Sequence, residues 1–186
     1  MRLKKFNAVL SLLAILTLLI HVGYSTFAYL TFYYNPTLKK LTSLPFIIIV
    51  CLHAICAMCA VFLHGDGTRL DVYRKQNAGT IIQRVSAALI FPLLFIHLKT
   101  FDYLQSNAES GRWVVFGLLI FVQVAFFGVI FSHAATSFSK ALITIGVLSA
   151  RQKQKKLDWI IYVVCAVLFL VTSAAVVRGE LAMFLH

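Results

Sequence analysis

Hydrophobic and polar positions alternate along this chain in long blocks rather than residue by residue. Five apolar blocks are long enough to cross a bilayer, since a spanning helix needs about 20 mainly apolar residues. The predicted spans are residues 7–33, 44–64, 80–98, 113–136 and 159–177. Short polar and basic segments connect them. The pattern predicts an all-α membrane protein, a five-transmembrane-helix bundle forming a single integral-membrane domain over residues 1–186.

Composition agrees with this prediction and bounds what else the chain contains. The 186 residues are 61% hydrophobic, whereas soluble domains are about 45–50% apolar. The basic start at Met1–Lys5 resembles the beginning of a secretory signal, whose apolar region is about 7–15 residues long. Here the apolar run continues to Tyr33 without a small-residue cleavage site. We therefore expect a retained first helix and little chain for a soluble domain.

Basic residues predict the orientation of the bundle, because Lys and Arg in short loops stay on the cytoplasmic side. Twelve of the 17 lie at the N-terminus, around the second loop or around the fourth loop. The remaining five lie on the other side: Lys39, Lys40, Lys99, Arg112 and Arg178. The prediction is a cytoplasmic N-terminus and an outside C-terminus. Topology and attraction to anionic membrane lipid account for the net charge of +11, so no nucleic-acid partner is expected.

The cytoplasmic loops have a second interpretation as a docking surface. Acidic residues are interspersed among the basic ones there, at Asp66, Asp71 and Asp158. A surface of mixed charge suits a soluble partner protein, whereas lipid attraction needs only the positive charge. Both interpretations stay open from composition alone.

Three prolines punctuate the chain. Pro36 and Pro45 bracket the predicted first outer loop, where proline marks a turn and then a permitted helix start. Pro92 lies inside the third span, five residues before His97. Its missing N–H leaves a carbonyl without its usual partner, so a kink is expected there.

Four histidines carry the strongest chemical signal. His21, His53, His97 and His133 lie one in each of the first four spans, and the fifth span has none. An ionisable side chain in hydrocarbon costs about 2.5–3.5 kcal/mol on insertion scales, so such residues usually face the bundle interior and serve a ligand, an ion or a proton path. This distribution predicts haem held between helices by pairs of imidazoles.

Depth in the membrane sorts these histidines into pairs, given about 1.5 Å of rise per helical residue. His97 is expected near the outer end of the third helix, at the level of His21. His133 is expected close to the cytoplasmic end of the fourth helix, and His53 near the middle of the second. The predicted axial ligands are therefore His21 and His97 for an outer haem, and His53 and His133 for an inner haem.

Two alternatives remain from the residues alone. His64 matches the depth of His133 as well as His53 does, although it precedes Gly65-Asp66-Gly67, a turn-like segment at the water interface. Each histidine taken singly also has the ordinary interpretation of a polar contact between helices.

The segment Gln83-Arg84-Val85-Ser86, followed by His97 thirteen residues after the arginine, resembles a known family. It is similar to the arginine-led third helix of the five-helix dihaem cytochrome b membrane-anchor subunit of succinate dehydrogenase and fumarate reductase complexes. His21, His53 before a basic loop, and His133 before Gly146 resemble the other ligand helices. The sequence departs from the family pattern in its short outer loops and in Ala87, where the family often has glycine.

The resemblance implies a function as well as a fold. It implies two haem b groups on the same histidine pairs, a quinone as membrane substrate, and flavoprotein and iron–sulfur subunits on the cytoplasmic face. The chain would then be the membrane-anchor and electron-transfer subunit of a succinate:quinone oxidoreductase or fumarate reductase-type complex in the cell inner (cytoplasmic) membrane. It would not itself catalyse the dicarboxylate reaction. A stand-alone cytochrome b561-like transmembrane electron carrier and a haem-free membrane scaffold are the alternatives.

A quinone or a haem propionate needs hydrogen-bond donors near the membrane edge. The predicted inner rim offers Arg84, Gln83, Ser86 and His64. The always-charged guanidinium of Arg84 suits either ligand, and an anchor that extends to the headgroups is its ordinary interpretation. Lys99, Asp102 and Glu180 are weaker candidates at the outer rim.

Overall fold

The computed structural model of the chain describes residues 2–64, 74–149 and 151–184, with the side chains of 62–77 and 151 outside the description. The described residues form five α-helices. These are α1 (Arg2–Thr31), α2 (Pro36–His64), α3 (Arg74–Glu109), α4 (Trp113–Ile145) and α5 (Arg151–Phe184). All five are long and apolar enough to cross a membrane. The prediction of an all-helical, multi-pass membrane protein is confirmed at this level.

Seven of the ten helix ends extend beyond the predicted apolar blocks because the polar flanks stay helical, and the end of α2 and the start of α4 fall where predicted. The end of the first block is shorter, because α1 stops at Thr31 and Phe32 adopts a positive φ of 56°. A bulky residue in the left-handed region cannot continue a right-handed helix. The turn that follows is held by Tyr24, whose hydroxyl donates to the Asn35 carbonyl at 2.8 Å and accepts from the Asn35 N–H at 2.9 Å.

The expected first outer loop is largely helical instead. Asn35 caps α2, because its side-chain oxygen accepts the backbone N–H groups of Thr37 at 2.9 Å and Leu38 at 3.1 Å. Pro36 occupies the first helical position, where its missing N–H removes no bond. Pro45 lies inside α2. The two prolines therefore bracket the first turns of a helix, and the loop between α1 and α2 is short.

The predicted positions of two histidines near their helix ends need correction for the same reason. His97 lies twelve residues before the end of α3, and His133 lies twelve residues before the end of α4. That distance corresponds to about 18 Å of helix. The polar segment after His97 remains helical, with the Thr100 hydroxyl bonded to the Ile96 carbonyl at 2.9 Å. Both histidines therefore lie well inside the bundle rather than near the helix ends.

Helix contacts show which helices pack against each other. Close backbone contacts join α1 to α2, α4 and α5, join α3 to α4, and join α4 to α5, with a smaller contact between α3 and α5. Among the described residues α2 approaches the backbone of α1 alone. We call the end where α1 begins the N-terminal end, and the end where α5 finishes the C-terminal end.

A cluster of large apolar side chains from four helices fills the middle of the bundle. Its buried members are Leu18, Phe46, Leu94, Phe126 and Ile130. Helix α2 joins this cluster through Phe46, although its backbone stays apart from α3 and α4 in the described part of the chain. The core therefore lies near the middle of the bundle, between the level of His21 and His97 and the level of His53 and His133.

Candidate functional site

The four span histidines lie at two levels of the bundle. His21 and His97 adjoin the same buried apolar cluster, His21 through Phe46 and His97 through Phe126. His53 and His133 lie toward the opposite end, eleven and twelve residues before the ends of α2 and α4. Each histidine lies ten to twelve residues from the nearer end of its helix. We call His21 and His97 the C-terminal-end pair, and His53 and His133 the N-terminal-end pair.

Aromatic side chains of the core contact the C-terminal-end pair. The ring of His21 stacks on Phe46 with a centroid distance of 6.0 Å and an interplanar angle of 9°. The ring centroids of His97 and Phe126 lie 5.1 Å apart, with an interplanar angle of 37°. Both phenylalanines are buried members of the apolar cluster. The imidazoles of this pair therefore adjoin an apolar interior.

A chain of hydrogen bonds runs from His97 to α5. The Nδ1 atom of His97 lies 3.2 Å from Oε1 of Gln123. The Nε2 atom of Gln123 donates to Oε1 of Glu180 at 2.9 Å. The same carboxyl oxygen accepts the Tyr29 hydroxyl at 3.4 Å. Four helices, α1, α3, α4 and α5, are thus joined through three hydrogen bonds.

Glu180 is the centre of this network and is fully buried. Its second oxygen, Oε2, has no hydrogen-bond partner in the described part of the chain. The neighbouring Gly179 lets Tyr29 lie directly on α5, because a Cβ at Gly179 would overlap the Tyr29 ring. The close crossing of α1 and α5 is what brings the Tyr29 hydroxyl to the carboxyl group.

The N-terminal-end pair is held differently. The Nδ1 atom of His133 lies 3.1 Å from the backbone carbonyl oxygen of Gln83 and 3.2 Å from the Ser86 hydroxyl. A carbonyl oxygen can only accept, so Nδ1 carries the hydrogen in this arrangement. Ser86 also donates to the Ile82 carbonyl at 2.7 Å. His133 is therefore fixed mainly by the backbone of α3.

Lys140 closes the contact between α3 and α4 nearer the N-terminal end. Its ammonium group donates to Oε1 of Gln83 at 2.7 Å and lies 3.3 Å from both the Thr80 hydroxyl and the Gly79 carbonyl oxygen. Arg84, half-buried, follows Gln83 on α3. A positive region therefore adjoins the site of His133.

The other members of the two pairs, His21 and His53, each have a ring nitrogen without a hydrogen-bond partner in the described part of the chain. In both residues this nitrogen is Nδ1, and it is buried. The backbone of Asn7 lies beside the ring of His53. Buried polar atoms without partners are uncommon and call for an explanation, such as an ion, a water or a ligand.

The structure brings part of the predicted site together. Gln83 and Ser86 adjoin His133, and Arg84 lies half-buried on the same turn of α3. The predicted alternative ligand His64 ends α2, and its side chain is outside the description. At the other end, Lys99 and Asp102 form an exposed ion pair at 3.6 Å, away from the histidine network.

Gln123 and Lys140 were not predicted as site residues from the sequence, and Glu180 was predicted only as a weaker candidate at the outer rim. Gln123 had a visible signal, since it is the single polar residue in the run Gly117–Phe127 of α4. Glu180 is likewise the one acidic residue after Asp158 in the chain. An isolated polar residue in an apolar helix predicts a buried partner but does not say which helix supplies it.

Within residues 2–64, 74–149 and 151–184, no group of three or more histidine, cysteine or carboxylate side chains lies together as a metal site. A haem iron with two axial imidazoles takes only two ligands from the protein. The expected haem sites would therefore each need only a pair of histidines.

Comparison of the chain with known protein families, with curated proteins and with solved structures found no match. Function is therefore inferred from the residues and from their placement in the bundle.

Proposed function

We propose that this chain is a dihaem b membrane-anchor and electron-transfer subunit of a succinate:quinone oxidoreductase or fumarate reductase-type complex. The observation that carries the proposal is the arrangement of four histidines from four helices as two pairs, one toward each end of the bundle. One haem b would take His21 and His97, and the other would take His53 and His133.

The donor chemistry fits haem. A metal-ligating histidine usually donates its second ring N–H to a carbonyl oxygen or a carboxylate, which fixes the tautomer and the ring. His97 has this support from Gln123, and His133 has it from the Gln83 carbonyl. In each case Nε2 is the nitrogen left for iron.

Basic residues near each pair suit the propionate groups of a haem. Lys39 lies in the first turns of α2, at the end of the bundle nearer the C-terminal-end pair. Lys140 donates to the side chain of Gln83, whose backbone carbonyl bonds to His133. Lysine and arginine both bind carboxylates by charge-assisted hydrogen bonds. We assign the propionates of the two haems to these cations.

The ligand set determines the chemistry that haem would supply. A haem held by two imidazoles would supply electron transfer rather than binding of oxygen or substrate. Two haems in opposite halves of the bundle would carry electrons between a quinone in the membrane and flavoprotein and iron–sulfur subunits at the N-terminal end. That end carries most of the basic residues and is cytoplasmic in this proposal.

A quinone would bind near the N-terminal-end pair in this proposal. A lipid-facing groove of about 460 Å³ lies between α3 and α4, and Ser86 is one of its few polar lining residues. The same hydroxyl contacts the His133 ring. Arg84, Gln83 and Ser86 remain the candidate quinone or propionate contacts, with His64 as a fourth.

The test is a reduced-minus-oxidised absorption spectrum and a haem-per-chain assay on purified protein. Single alanine variants at His21, His53, His97 and His133 accompany the wild type. We expect two low-spin b haems, with one lost when either member of a pair is changed. Folded protein without haem would refute the proposal.

A haem-free scaffold is the second candidate, because the bonds of His97 to Gln123 and of His133 to Gln83 join α3 to α4 in the absence of any ligand. Polar contacts between membrane helices contribute about 0.6 kcal/mol on average. Alanine variants would then lower stability without changing any absorption band. A stand-alone b561-like carrier would show both haems but purify without flavin or iron–sulfur subunits.

A further inference from the structure

Gln123 lies between a proposed haem ligand and a buried carboxyl group. Its side chain is 5% exposed, and it lies in an apolar stretch of α4. The side-chain oxygen faces Nδ1 of His97 at 3.2 Å, and the side-chain nitrogen donates to Glu180 at 2.9 Å. A buried amide with both ends bonded to residues of two other helices has a defined orientation.

Glu180 decides which end of the amide faces His97. Its Oε1 atom lies within hydrogen-bond distance of both the Gln123 amide and the Tyr29 hydroxyl, and as a carboxylate oxygen it can only accept. The amide must therefore present its nitrogen to Glu180 and its oxygen to His97. An amide oxygen can only accept, so Nδ1 of His97 must carry the hydrogen.

We propose that Gln123 is a positioning residue that holds His97 as the Nδ1–H tautomer, with Glu180 orienting the Gln123 amide. The lone pair of Nε2 is then free to bind a metal. The consequence for haem rests on the proposed function. The tautomer itself is a property of this chain and is measurable without haem.

The arrangement is specific to the C-terminal-end pair. His133 obtains the same tautomer from the backbone carbonyl of Gln83, which no substitution removes directly. His97 depends on two side chains instead. Loss of such a supporting residue typically weakens metal binding about 10–100-fold.

Three variants separate the parts of this arrangement. Gln123→Leu removes both hydrogen bonds at similar volume. Glu180→Leu leaves the amide without its orienting acceptor. Glu180→Gln keeps an amide oxygen that can accept from Gln123 and Tyr29, so the orientation of Gln123 is preserved. Rescue by this conservative variant shows that an acceptor, rather than the bulk of a side chain, is required.

Thr172→Val is the matched control. Thr172 is buried on α5 and pairs with the Thr26 hydroxyl at 3.5 Å, so the variant removes a polar contact between the same two helices as Tyr29–Glu180. It leaves Gln123 and His97 untouched. A general effect of loosening α1 from α5 would appear in this variant as well.

The first readout is the ¹⁵N NMR spectrum of histidine-labelled full-length chain, prepared without haem in detergent and assigned with the His97→Ala variant. We expect the Nδ1–H tautomer of His97 in the wild type, in Glu180→Gln and in Thr172→Val. We expect a mixture of tautomers in Gln123→Leu and Glu180→Leu. A pure Nδ1–H tautomer in Gln123→Leu would overturn the inference.

The second readout is haem affinity by titration, with the spectrum of each haem followed separately. Gln123→Leu should bind the haem of the C-terminal-end pair about 10–100-fold more weakly, with the other haem unchanged. Equal affinity in wild type and variant would overturn the role toward haem. Wild type that binds no haem would refute the proposed function instead, and the NMR result would still decide whether Gln123 fixes the tautomer.

Discussion

The two histidine pairs are supported by different parts of the protein. At the C-terminal end, His97 depends on the side chains of Gln123 and Glu180, with Tyr29 as a further donor. At the N-terminal end, His133 bonds to the backbone carbonyl of Gln83. The same ring nitrogen is held in both cases, once by a side-chain network and once by the backbone of a helix.

This difference predicts which half of the bundle is sensitive to substitution. A side-chain network can be broken at any member, and each break leaves buried polar atoms without partners. A backbone carbonyl persists as long as the helix does. We therefore expect substitutions around the C-terminal-end pair to have the larger effects on stability and ligand binding.

The largest expected effect is that of Glu180→Leu. The variant leaves two donors, a buried one on Gln123 and a half-buried one on Tyr29, without an acceptor, and each unsatisfied buried donor costs about 1–3 kcal/mol. We expect the free energy of unfolding in detergent to fall by about 3 kcal/mol on this basis. Chemical unfolding followed by circular dichroism measures it. Glu109→Leu, at an exposed acidic position of α3, is the control and should change stability by less than about 0.5 kcal/mol.

The next effect is expected at the crossing of α1 and α5. In Gly179→Ala the new methyl group overlaps the Tyr29 ring, so the helices must move apart. We expect a loss of about 2 kcal/mol, within the range for overpacked interiors. Gly117→Ala is the matched control, because a methyl group added there would meet no other atom within 4 Å. Equal stability of these two variants would contradict the close crossing.

A smaller effect is expected for Lys140→Met at the N-terminal end. The variant removes the bonds from the ammonium group to Gln83 and Thr80, but the position is only half-buried. We expect a loss of about 1 kcal/mol, typical of a single hydrogen bond. The same unfolding experiment applies. Lys155→Met, at an exposed position of α5, should behave like wild type.

How far the sequence could predict these features depends on the range of the interaction. Length and hydropathy of the apolar blocks predicted the five helices, because a membrane span is a local property of about 20 residues. Most of the helices were predicted too short, since polar segments such as the one after His97 remain helical beyond the apolar block.

The side-chain network could not be predicted in the same way. Gln123 and Glu180 are separated by 57 positions in sequence, and only the packing of α5 against α4 brings them together. The contact of Tyr29 with Glu180 spans 151 positions and needs the close crossing at Gly179. An isolated polar residue in each helix was visible, but its partner is fixed by tertiary contacts.

The smallest effect is expected for Ser86→Ala, and it tests the comparison directly. The Ser86 hydroxyl contacts Nδ1 of His133, but the Gln83 carbonyl oxygen accepts from the same nitrogen at 3.1 Å. The tautomer of His133 should therefore be unchanged, and stability should fall by only about 0.6 kcal/mol, the average for polar contacts between membrane helices. The NMR experiment on labelled histidine measures the tautomer. If Ser86→Ala released His133 as fully as Gln123→Leu releases His97, both pairs would depend on side chains and the difference between the two ends would not hold.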